Sequence, residues 1–138
     1  AKVLDGAAPT LLCHDETVAV PAAIAASPVA RLPLPRTASG LDLQGLMTYL
    51  ATQQYNEILI ESGPRLAGAL LQAGLLDELI VYMAPALLGN RARPLLELPL
   101  DKMADKVQLQ WEDVRKVGTD WCFTAIPIRT SESVPQRR

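Results

Sequence analysis

The chain has 138 residues, 49% of them apolar and 20% charged, enough to bury a core rather than stay disordered. A net charge of −2 argues against the broad basic footprint that a nucleic-acid backbone demands, and the apolar runs are far too short to span a bilayer. A lone histidine, His14, and two distant cysteines, Cys13 and Cys122, exclude a multi-histidine or Cys-x-x-Cys metal site; the thiols read as reduced, buried small hydrophobes of a cytoplasmic protein.

Residues 9–13, "PTLLC", predict a short buried strand, with "HDET" as a polar break. Adjacent strand positions face opposite ways, so the ligand-type residues of "CHDE" do not converge on a metal. Residues 18–27 form a short helix or a loop. "VARLPLPRTASG" alternates but carries Pro33 and Pro35, so any strand there is short or at an edge.

Asp42 is placed to cap a helix, and Leu43, Leu46, Met47 and Leu50 fall on one face behind it. "YNEILIES" predicts a strand covered on both faces. A second helix runs from about Pro64 to Ala73: proline suits the first helical position, and Gly74 suits the left-handed end. "DELIVYMAP" predicts another strand, and the strand–helix–strand run from Ile58 to Met83 implies a parallel pair. Two alternating runs around Gly118-Thr119-Asp120 then predict an antiparallel hairpin. The fold class is α/β, a mixed sheet flanked by helices with a C-terminal hairpin. One domain spans 1–128, and 129–138, "RTSESVPQRR", reads as a disordered, solvated tail. No signal peptide is visible, and the start at Ala1 reads as a chain processed, trimmed or cut from something longer.

The chemistry concentrates at "IESGPRLAGA", residues 60–69. Helix N-termini beyond the carboxyl ends of strands present free N–H groups to anions, and Gly63 lets a phosphate approach closely. The local pattern is also that of a plain strand-to-helix turn. Gly68, inside the helix, costs roughly 1 kcal/mol relative to alanine, which implies close packing or ligand approach, packing being favoured. Glu61 is either a solvated strand end or an acceptor for a polar substrate. Asp77 and Glu78 read as punctuation before the next strand. Ser62 lacks the G-x-S-x-G elbow of a nucleophile. The "GNRARP" loop at 89–94 either rims a ligand site or is solvated, and solvation is favoured.

The whole run "ILIESGPRLAGALLQAGLLDELIVYMAPALLG" resembles the C-terminal reductase domain of the bifunctional riboflavin-biosynthesis deaminase–reductase family. Glu61, Gly63, Gly74, Asp77, Glu78, Pro85 and Gly89 match that family's order and spacing, and the flanking segments fit in sequence. The resemblance implies a fold like dihydrofolate reductase. It implies NADPH-dependent reduction of the ribosyl group of 5-amino-6-(5-phosphoribosylamino)uracil, a phosphorylated aminopyrimidine, to the ribityl form. By position, Glu61 contacts substrate, and Gly63, Pro64, Arg65, Leu66, Ala67, Gly68 and Ala69 line the cofactor. The family's N-terminal zinc deaminase and the first part of its reductase domain have no counterpart in this sequence, so the chain reads as a C-terminal portion with the catalytic acid and substrate-phosphate contacts unassigned. Homodimerisation is expected, since missing strands leave an open edge. Two alternatives stand beside this: a non-catalytic packing and dimerisation fragment, or a related NADPH reductase for another pterin or pyrimidine.

Overall fold

The computed structural model describes residues 2–128; the tail reading of 129–138 lies outside the described residues. The chain divides into two compact units between Ile58 and Leu59.

In the first unit, β1 (Leu11–Asp15) pairs in parallel with β2 (Ala30–Leu34), and the short helix α1 (Ala22–Ala25) lies in the connection. Pro33 sits within β2, opposite His14, and is tolerated because β2 is the edge of a two-stranded ladder. The predicted break after Cys13 comes two residues later, since His14 and Asp15 still belong to β1. The strands β3 (Arg36–Thr37) and β4 (Gly40–Leu41) form a small antiparallel pair. Helix α2 (Leu43–Thr52) starts as the sequence predicts: Asp42 is extended and its Oδ1 accepts the Gly45 N–H at 2.9 Å. Val29 and Leu34 are the buried apolar residues of this unit.

In the second unit, helix α3 (Pro64–Gln72) precedes β5 (Leu79–Met83), and β6 (Leu109–Val117) and β7 (Asp120–Pro127) form the predicted hairpin. The sheet order is β5-β7-β6, antiparallel throughout. Gly74 ends α3 at φ +67°. Its N–H bonds the Leu71 carbonyl at 3.0 Å and the Leu75 N–H reaches Leu70 at 2.9 Å, the paired bonds of a Schellman cap. Gly118 takes φ +62° at the first of two turn positions while Thr119 stays at negative φ, the II′ pattern that matches strand twist. β6 carries a bulge between Trp111 and Asp113, and the Trp111 ring lies against Phe123 with centroids 5.6 Å apart. Leu70, Cys122 and Ala125 are buried in this unit, and Cys13 and Cys122 are both free thiols.

Two sequence expectations are corrected. Residues 55–63 join no ladder, so the strand expected at "YNEILIES" does not form among the described residues, and Leu59 is 79% exposed. The parallel pair expected between that segment and β5 is therefore absent: β5 pairs antiparallel with β7. A run of Ile and Leu supplies strand-compatible side chains, but a strand exists only where a neighbour accepts its N–H and C=O groups. The mixed α/β class holds, with the strands among the described residues distributed over three separate sheets instead of one.

Candidate functional site

Helix α3 begins without a cap. Gly63 at the N-cap has no side chain to offer, Pro64 at the first helical position has no N–H, and no acidic residue lies in the first turn. The first intrahelical bond runs from the Ala67 N–H to the Gly63 carbonyl at 3.2 Å, which leaves the N–H groups of Arg65 and Leu66 without an intrahelical acceptor. The positive end of the helix dipole is thus neither capped nor neutralised locally.

Gly63 has φ −74° and ψ 169°, a conformation any residue adopts, and a β-carbon built on it meets nothing within 4 Å. Neither backbone strain nor a neighbour in the chain requires glycine there. What glycine adds is open space directly before the free N–H groups.

That space is a cleft of about 450 Å³ lined by Ser62, Gly63, Pro64, Arg65, Leu66, Arg93 and Glu97. The far wall comes from the segment after β5, which returns across the helix. The Glu97 N–H donates to the Pro64 carbonyl at 3.0 Å, and the Glu97 carbonyl packs against Gly68. Arg65 Nε lies 3.8 Å from Glu97 Oε2, both side chains being well exposed. The cleft therefore carries two guanidinium groups against one carboxylate, at an open helix N-terminus. Its net positive charge and free N–H groups are chemically complementary to an anion.

The sequence-derived candidates divide at this cleft. Gly63, Pro64, Arg65 and Leu66 line it together. Ala67, Gly68 and Ala69 lie behind its wall, half-buried or, for Gly68, buried. Gly68 has the packing role favoured from its sequence position. Glu61 is exposed just before the cleft and does not line it. Arg93, exposed like the rest of its loop, also rims the cleft, so the structure is compatible with both readings of that loop. Ser62 and Glu97 were not anticipated as lining; Glu97 is brought in by tertiary structure from a stretch with no motif of its own.

Elsewhere, Asp15 accepts hydrogen bonds from the Thr17 hydroxyl at 2.7 Å and the Thr17 N–H at 2.9 Å. These bonds, with Arg36 3.5 Å away, hold its carboxyl below the ordinary carboxylate value. Burial pushes the Cys13 thiol up. His14 Nδ1 lies 3.0 Å from its neighbour's backbone carbonyl at Asp15. Among the described residues no cluster of three or more His, Cys, Asp or Glu is placed to hold a metal, and no helix is long and apolar enough to cross a membrane.

Residues 1–123 match the RibD C-terminal domain family. The riboflavin biosynthesis protein RibD of Escherichia coli is 55% identical over 96 residues, covering 69% of this chain and 26% of that protein. The 5-amino-6-(5-phosphoribosylamino)uracil reductase of Buchnera aphidicola from Acyrthosiphon pisum is 35% identical over 81 residues, covering 58% of this chain and 39% of that protein. Among solved structures, Acinetobacter baumannii RibD superposes with a TM-score of 0.72 at 30% identity, over 86% of this chain and 31% of that one. A pyrimidine reductase-like protein from Corynebacterium diphtheriae superposes at 0.73 over 94% of this chain and 56% of that one; at 19% identity it speaks to fold alone. The chain thus spans about a quarter of the length of the Escherichia coli relative.

Proposed function

The chain belongs to the RibD C-terminal domain family, and on that premise we propose that it forms one wall of a reductase site in riboflavin biosynthesis. The substrate is 5-amino-6-(5-phosphoribosylamino)uracil, as in the name of the Buchnera relative, and the cofactor is NADPH. The observation that carries this reading is the uncapped start of α3, with open space before Gly63 and two arginines beside it.

The residues present fit a phosphate-bearing cofactor. Arg65 and Leu66 line the cleft and carry backbone N–H groups with no intrahelical acceptor, Gly63 leaves room for phosphate oxygens, and Arg65 and Arg93 supply positive charge. NADPH, when bound, supplies a hydride for C1 of the opened ribosyl group. This chain's part is to orient and to exclude water. Glu61, the last residue before Ser62 and the cleft, is assigned to substrate, accepting from its hydroxyl or N–H donors.

Titration of the chain with NADPH and NADH, followed by nucleotide fluorescence, tests the assignment. Saturable binding is expected, tighter for NADPH. A folded chain that binds neither refutes the cofactor role of α3.

A further inference from the structure

Glu97 stands where a ligand phosphate has to compete with it. Its backbone is fixed at two points, by the hydrogen bond to the Pro64 carbonyl and by its own carbonyl against Gly68. Its side chain is not fixed: it is 51% exposed and meets Arg65, itself 89% exposed, at 3.8 Å. An exposed pair at that separation is weakly held. A phosphate offers Arg65 a shorter, bidentate and more highly charged partner. Arg93 reaches the same cleft and, among the described residues, forms no ion pair.

We infer that the Arg65–Glu97 pair is an anion gate. Glu97 holds the Arg65 guanidinium across the cleft until a ligand phosphate takes it, and Arg93 is the second cation that receives the phosphate. The inference rests on reading this cleft as the cofactor's phosphate site, and it deepens that reading by naming the groups that set affinity. Glu97 acts against binding, and it acts through Arg65. Removing its charge therefore tightens binding only while Arg65 is present.

The experiment is a double-mutant cycle on the 138-residue chain, with NADPH affinity read by fluorescence and folding checked by circular dichroism. Glu97→Gln keeps the backbone contacts and removes the charge; it is expected to tighten NADPH binding roughly twofold to fivefold. Arg65→Ala and Arg93→Ala each weaken it by a similar factor. The Arg65→Ala/Glu97→Gln double variant binds no tighter than Arg65→Ala alone. Unchanged or weaker binding in a folded Glu97→Gln variant overturns the gate, as does full tightening in the double variant. If the unaltered chain binds neither NADPH nor NADH, the cofactor reading fails, and the gate is then read with inorganic pyrophosphate. Tighter pyrophosphate binding in Glu97→Gln sustains it, and no binding of pyrophosphate by either chain refutes it.

Discussion

The backbone carbonyl of Glu97 occupies the direction in which a β-carbon at Gly68 would project. Together with the bond from the Glu97 N–H to the Pro64 carbonyl, this contact pins the returning segment to the first two turns of α3. Arg93 is thereby carried to the helix start, next to Arg65. A cleft with two cations results from one close approach that only glycine permits.

Gly68→Ala is expected to destabilise the second unit. Alanine favours the helix by about 1 kcal/mol, but overpacking against backbone costs about 1–3 kcal/mol, because a carbonyl cannot rotate away as a side chain does. The net loss is about 0–2 kcal/mol, read as a lower midpoint in urea. A midpoint that rises shows that the helix gain outweighs the contact.

Gly63→Asp separates folding from binding. Its extended backbone suits an aspartate cap, and a β-carbon there meets no neighbour, so stability is expected to hold or to gain a few tenths of a kcal/mol. The new carboxylate would occupy the place proposed for the phosphate, so loss of NADPH binding is expected. Retained binding together with retained stability removes the phosphate from this helix start.

Asp42→Ala removes the carboxylate that accepts the Gly45 N–H and leaves α2 without its cap. The expected cost is about 1 kcal/mol in the first unit, visible as a lower midpoint in urea denaturation. A midpoint equal to that of the unaltered chain shows that water replaces the cap fully.

Thr17→Val is expected to raise the Asp15 pKa towards its ordinary value, by removing the hydroxyl donor that contributes most to lowering it. The sign follows from linkage. A carboxyl with a depressed folded-state pKa adds stability above its unfolded pKa, and that stability is lost as pH falls through the folded value. The variant therefore loses less stability than the unaltered chain on acidification below about pH 4. Carboxyl-carbon NMR titration reads the shift directly, and an unmoved Asp15 resonance contradicts the assignment.

What was legible in the sequence was what is locally encoded. Asp42 capping α2, Pro64 opening α3, Gly74 closing it and Gly118 turning the hairpin are each dictated by a few neighbouring residues, and each is found in place. The segment 57–61 was legible only in composition. Its apolar residues suit a strand, yet pairing is settled by a partner, and the described residues provide none. Gly63 was legible as a candidate for close ligand approach, and its lack of any neighbour within 4 Å is compatible with that role. Glu97 was not legible as a cleft residue, and Arg93 was legible only as one of two readings of its loop, because both reach α3 only through the return of the chain after β5.

The central claim is that the start of α3 receives a phosphorylated nicotinamide cofactor. The most direct measurement is the dissociation constant of NADPH for the unaltered chain, with NADH alongside at the same ionic strength. Saturable binding is expected, tighter for NADPH and weakening as salt is raised. Equal affinity for both nucleotides with no salt dependence, or no binding by a chain shown to be folded, contradicts it.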